Sequence, residues 1–241
     1  MSEARTVLAP GKIVLAGEYA VLDGGPALVM AIDRGVRCEL QPGGPGLRIE
    51  TPDGDDRFVR PALEGAPDGL YRFSAWNPVD LPGKAGFGGS AAACVAACLA
   101  AGRPALDALA LHRQVQGSGS GIDVLASVHG GTLLLRGATL ASARVRPPRV
   151  VYSGAPARTG PRVAQYLGWT DALARQGFVE RCGELVEELG QDPIGVTAAL
   201  AGELRAMARQ AGVAWSTPAL DRIMDLARAR GGAARPSGAG G

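Results

Sequence analysis

Gly83 to Ala93 reads GKAGFGGSAAA: a lysine, a glycine-rich turn, then an alanine run. Those residue types in that order suit an anion. A glycine turn opening a helix leaves the first backbone N–H groups without intrahelical acceptors, at the positive end of the helix dipole. Glycines let the backbone come close to a phosphate. Lys84 adds a mobile point charge one turn upstream, and Ser90 adds a hydroxyl for a phosphate or a Mg²⁺ ion. The lysine precedes the glycines, so the stretch is not a G-x-x-x-x-G-K-[ST] loop. Taken alone, the same residues also describe a turn that merely caps a packed helix.

Three further stretches carry chemistry. In APGKIVLAGEYAVL, Lys12 and Glu18 flank an apolar segment, as a site pair or as the surface pair of a hairpin. In QGSGSGIDVLAS, Asp123 stands near a helix start after a flexible run. It suits a carboxylate that takes a proton or orients a lysine, or one that simply complements the dipole. SGAPART, from Ser153 to Thr159, supplies hydroxyls and Arg158 for an anion, or forms an ordinary loop.

The elements that would position these residues are legible in outline. TVLAP, KIVLAG, PALVMAI, VRCEL and LRIE are short β-prone runs broken by Gly and Pro. Residues 51–69 read as a surface loop. Alanine density predicts a helix from about Gly88 to Ala101, apolar nearly all round and therefore buried. ALDALALHRQVQ predicts another helix, and IDVLASVHGG a short one leading into the strand GTLLLRG. RVVYSG reads as a strand after the Pro147–Pro148 turn, and the chain beyond Arg162 as mostly helical. The order, β-rich then mixed then α-rich, predicts an α+β fold in two lobes.

Composition narrows the function. A net charge of +2 gives no electrostatic case for nucleic acid or an anionic membrane. Cys38, Cys94, Cys98 and Cys182 form no CxxC pair and are expected to be buried small hydrophobes. No apolar run is long enough to span a bilayer and no secretory signal is evident, so a cytoplasmic protein is expected.

PGKIVLAGEYAVL, PGKAGFGGSAA and RPSGAGG, in that order, together with GSGID, resemble the motifs of the GHMP kinases along nearly the whole chain. The resemblance implies an N-terminal ribosomal-protein-S5-like β/α lobe over residues 1–148. It implies a helical, ferredoxin-like C-terminal lobe over residues 149–241, incomplete after the last glycine loop. Within the family, GEY, the lysine before the second glycine loop, QGSGSGIDVLASVHGG and VVYSGAPART are most like the phosphomevalonate kinases. The implied reaction is ATP-dependent phosphorylation of a phosphorylated small molecule, 5-phosphomevalonate. A mevalonate kinase or other small-alcohol kinase, and a non-catalytic binding protein, are the alternatives.

By that resemblance Lys12, Asp123 and Lys84 are catalytic, and Gly86, Gly88, Gly89, Ser90 and Ala91 cradle the nucleotide phosphates. Tyr19, Ser153 and Thr159 face the acceptor, and Ser90 and Glu18 lie near Mg²⁺. Gly89 stands where the family usually has a serine, and Phe87 where it has a leucine. The 25 lysines and arginines include only two lysines, Lys12 and Lys84. A compact ammonium suits a moving phosphoryl group better than arginine's rigid fork.

Overall fold

The computed structural model describes residues 4–81, 86–117, 119–154 and 159–240. The strands are β1 (Arg5–Ala16), β2 (Ala27–Pro42), β3 (Leu47–Glu50), β4 (Gly69–Trp76), β5 (Thr132–Arg136) and β6 (Thr139–Ser142). The helices are α1 (Arg60–Leu63), α2 (Gly89–Ala100), α3 (Asp107–Gln116), α4 (Ile122–His129), α5 (Thr159–Leu167), α6 (Ala172–Glu188), α7 (Pro193–Ala211) and α8 (Pro218–Ala229). The fold is α+β. The chain divides into two compact units that interleave along the sequence. One comprises Met1–Ile13, Met30–Asp80 and Phe87–Gly131, the other Val14–Val29, Leu81–Gly86 and Thr132–Gly241.

In the first unit β2 pairs antiparallel with β4, from Gly35 opposite Trp76 to Pro42 opposite Gly69. β3 lies parallel to β4 on its other side, and β1 pairs with β2. The inward residues Cys38, Leu40, Tyr71 and Phe73 alternate along β2 and β4, as a half-buried sheet requires. They meet α2, whose Ala91, Ala92, Cys94, Val95, Ala96, Ala97 and Cys98 are all buried. Small side chains let α1, α3 and α4 pack around this helix. The expectation of a closely packed alanine helix is met.

In the second unit β5 and β6 form an antiparallel hairpin, and α6 packs against α7. Tyr166, Trp169 and Phe178 form an edge-on aromatic cluster in its core. α6, α7 and α8 start on side-chain caps. Asp171 accepts from Ala174 N–H, Asp192 from Gly195 N–H and Thr217 from Leu220 N–H, with Pro193 and Pro218 at the helix starts.

Three sequence expectations need correction or completion. RVVYSG is not a strand: residues 149–154 are irregular, and Val150 and Val151 are 56% and 65% exposed. Their β-propensity meets no partner strand among the described residues, and Pro147 and Pro148 offer no N–H to a ladder. The loop expected over residues 51–69 contains α1, which buries Ala62 and Leu63. β4 went unread, although GLYRFSAW buries alternate residues. All four cysteines are free and buried, as expected. Among the described residues no helix is long and apolar enough to cross a membrane.

The tight seat of α2 gives a direct test. Ala96→Leu places three extra heavy atoms in filled space and should destabilise the fold by about 1–3 kcal/mol, read as a lowered urea midpoint with an unchanged m-value.

Candidate functional site

Lys12 lies on β1, and its backbone N–H donates to the carbonyl of Phe87 at 2.8 Å. This bond pins the glycine-rich turn to the strand. Gly11 is required there by close approach, since a Cβ would sit 2.5 Å from the Phe87 carbonyl oxygen. Gly88 is the N-cap of α2 with φ 73°, in the left-handed region. A Cβ on Gly88 would fall 3.2 Å from both Cγ and Cε of Lys12 and 3.7 Å from Cβ of Asp123. The aliphatic stem of Lys12 thus runs across Gly88, beside Asp123.

Unlike α6, α7 and α8, α2 has no side-chain cap. The first intrahelical bond runs from Ala92 N–H to Gly88 O. The N–H groups of Gly89, Ser90 and Ala91 therefore precede the helical ladder. A Cβ on Gly89 would meet nothing within 4 Å, so the space there is open. An ammonium, a helix N-terminus and a carboxylate are brought together in the first unit. That is an environment in which an anion is held and a charge can be moved over a short distance.

Ser90 is not alone in this turn. Its Oγ lies 3.1 Å from Nε2 of His112, on α3. His112 is buried and stacks on Phe58 with ring centroids 4.9 Å apart. Burial lowers its pKa from the ordinary histidine value, against an opposing pull from the charge of Asp123. Asp123 is the second residue of α4, and its Oδ1 accepts from Val124 N–H at 3.0 Å. Sequence reasoning passed over His112. The available signal was its position four residues after Ala108, on the buried face of α3.

The other sequence candidates lie in the second unit. Glu18 is buried, and one oxygen pairs with Arg235 and accepts from Gly238 N–H. Its other oxygen, Oε2, is buried without a hydrogen-bond partner. Arg235 also donates to the carbonyls of Leu15 and Pro236. Ser237 Oγ donates to Val14 O at 2.9 Å and accepts from Val14 N–H at 3.1 Å. Tyr19 donates its hydroxyl to Ala239 O at 2.7 Å, and burial raises its pKa. Arg162 donates to the carbonyls of Ala239 and Gly240. Residues 237–240 are thus fastened to the GEY segment. Ser153 is half-buried, while Thr159 opens α5 and, like Gly86, is exposed. Lys84 and Arg158 lie outside the described residues. Among the described residues no group of three His, Cys, Asp or Glu side chains is arranged to hold a metal ion.

The side chains of Arg235 and Glu18 are 6% and 2% exposed. Arg235→Ala should destabilise the protein by about 3–5 kcal/mol by stranding a buried carboxylate. The double change Arg235→Met with Glu18→Leu should recover most of that loss in the same denaturation experiment.

No protein-family model matches the chain. Mevalonate kinase of Aeropyrum pernix is 28% identical over 224 residues, covering 77% of this chain and 69% of that protein. The crystal structure of the Lin0012 protein from Listeria innocua matches with a TM-score of 0.84 at 23% identity, over 99% of this chain and 88% of that one. Streptococcus pneumoniae phosphomevalonate kinase, solved with phosphomevalonate and AMPPNP, matches with a TM-score of 0.74 at 17% identity, over 100% of this chain and 90% of that one. In fold the chain matches solved structures of GHMP kinases, and in sequence it is similar to a mevalonate kinase.

Proposed function

We propose that the chain is an ATP-dependent kinase that phosphorylates 5-phosphomevalonate to the diphosphate. The convergence of Lys12, the Gly88 turn and Asp123 carries the kinase reading. The acceptor is argued from the GEY, GSGSGID and SGAPART stretches, and from the likeness to the Streptococcus pneumoniae enzyme solved with phosphomevalonate and AMPPNP.

In this reading the uncapped N–H groups of Gly89, Ser90 and Ala91 grip the phosphates of ATP. An oxygen of the acceptor phosphate attacks the γ-phosphorus as the bond from that phosphorus to the ADP oxygen breaks. Donor and acceptor are both anions, so most of the barrier is charge repulsion and misalignment. Lys12 neutralises charge on the group in flight, and Asp123 orients the ammonium and the acceptor. A dianionic acceptor phosphate releases no proton, so Asp123 has little work as a base. An alcohol acceptor would pass its proton to Asp123.

The described residues do not fit a protein-built Mg²⁺ cage. Glu18, the carboxylate candidate, is neutralised by Arg235. Ser90 Oγ is engaged by Nε2 of His112 at 3.1 Å. We assign the ion to the nucleotide, whose phosphates hold it and whose charge it offsets.

The 28% identity to a mevalonate kinase supports a second reading, with mevalonate as acceptor. ADP release measured with each acceptor separates the two. The first reading expects turnover with 5-phosphomevalonate and at least about 100-fold lower kcat/KM with mevalonate, a margin within reach of one lost set of charge-assisted contacts. The opposite ranking overturns it.

The chemistry makes two further expectations. Lys12→Arg should lower kcat at least about tenfold, with the melting temperature kept, because the guanidinium fork replaces a point charge. Asp123→Asn should cost an alcohol acceptor more in kcat than a phosphate acceptor, by about tenfold or more. Equal losses with both acceptors would remove the proton-accepting role.

A further inference from the structure

Of the two histidines in the chain, His129 is exposed and His112 is 3% exposed. His112 reaches Ser90 from another helix, with Nε2 3.1 Å from Oγ. Phe58 stacks on the ring and holds its plane. Burial favours the uncharged imidazole, and the charge of Asp123 opposes it. An uncharged imidazole adds no counter-charge to the turn, so its use there is to fix a hydrogen bond.

Which partner donates follows from the surroundings. The α2 turn presents uncapped N–H groups, and the stem of Lys12 crosses Gly88 beside it. Such a place draws an anion, and a hydroxyl serves an anion by donating. Ser90 can direct its proton outward only if its oxygen accepts from the histidine. We propose that His112 is a positioning residue for the α2 turn: its Nε2–H donates to Ser90 Oγ and so turns the Ser90 hydroxyl proton towards a nucleotide phosphate oxygen. This rests on the kinase reading above and assigns Ser90 to phosphate rather than metal.

The imidazole tautomer is read without any turnover. In protein labelled with ¹⁵N-histidine, only His112 and His129 contribute, and His112→Gln assigns the pair. The expected His112 signal is the Nε2–H form, displaced by Ser90→Ala. An Nδ1–H form, or shifts indifferent to Ser90→Ala, overturns the proposal.

Kinetics supply the second arm. His112→Leu should raise the KM for ATP about five- to tenfold, the equivalent of one hydrogen bond. The KM for the acceptor and kcat should stay within about twofold, as expected for binding lost equally from ground and transition states. His112→Gln, whose amide can donate to Ser90, should recover most of the loss. In a Ser90→Ala background His112→Leu should add almost nothing. A full additional loss there, with active wild-type enzyme, overturns the positioning role alone. A wild-type chain that turns over neither acceptor overturns the kinase reading and this inference with it. If His112→Leu does not fold, the wild-type tautomer and the Gln variant still decide.

Discussion

Everything at the first unit's site depends on a helix that begins without a cap. α6, α7 and α8 each close their first turn with an Asp or Thr side chain. α2 instead begins on a left-handed glycine, and a Cβ on Gly89 would meet open space. A cap of about 1 kcal/mol is forgone, and the turn must be held in place by other means. The bond from Lys12 N–H to Phe87 O does this from the strand side, and the buried alanine face of α2 does it from the core. The same lysine therefore fixes the turn with its backbone and crosses it with its side chain.

The second unit solves a different problem. A carboxylate as buried as Glu18 is tolerated only with a partner, and Arg235 supplies a charge and a fork of donors. Such pairs add little net stability over an apolar replacement, and their value lies in where they place the chain. Here one guanidinium ties Leu15 and Glu18 to residues 237–240, which Ser237, Tyr19 and Arg162 then hold by further bonds. The glycines of that segment are thereby given defined positions that their own flexibility would not provide.

What could be read from the sequence was mostly local. The alanine run announced a buried helix because composition alone decides its packing, and the chain beyond Arg162 read as helical, as α6, α7 and α8 are. Propensity failed where a partner was missing: Val150 and Val151 favour a strand but pair with none among the described residues. It also failed where a short element hides in polar sequence, as α1 does. The meeting of Lys12, Gly88 and Asp123 was readable only through likeness to a family, because nothing local links residues so far apart. The pairing of Ser90 with His112, and of Glu18 with Arg235, left weaker traces still. Each joins two ordinary residues on separate elements, and only the packed helices decide that they touch.

The tie between Glu18 and Arg235 spans 217 positions of sequence. During synthesis at about 5–20 residues per second, the carboxylate leaves the ribosome roughly ten to forty seconds before its guanidinium exists. In that interval the GEY segment has no means of neutralising the acid in an apolar interior. Glu18 therefore stays hydrated until Arg235 has emerged. Its burial is a long-range event that waits for a partner 217 positions downstream.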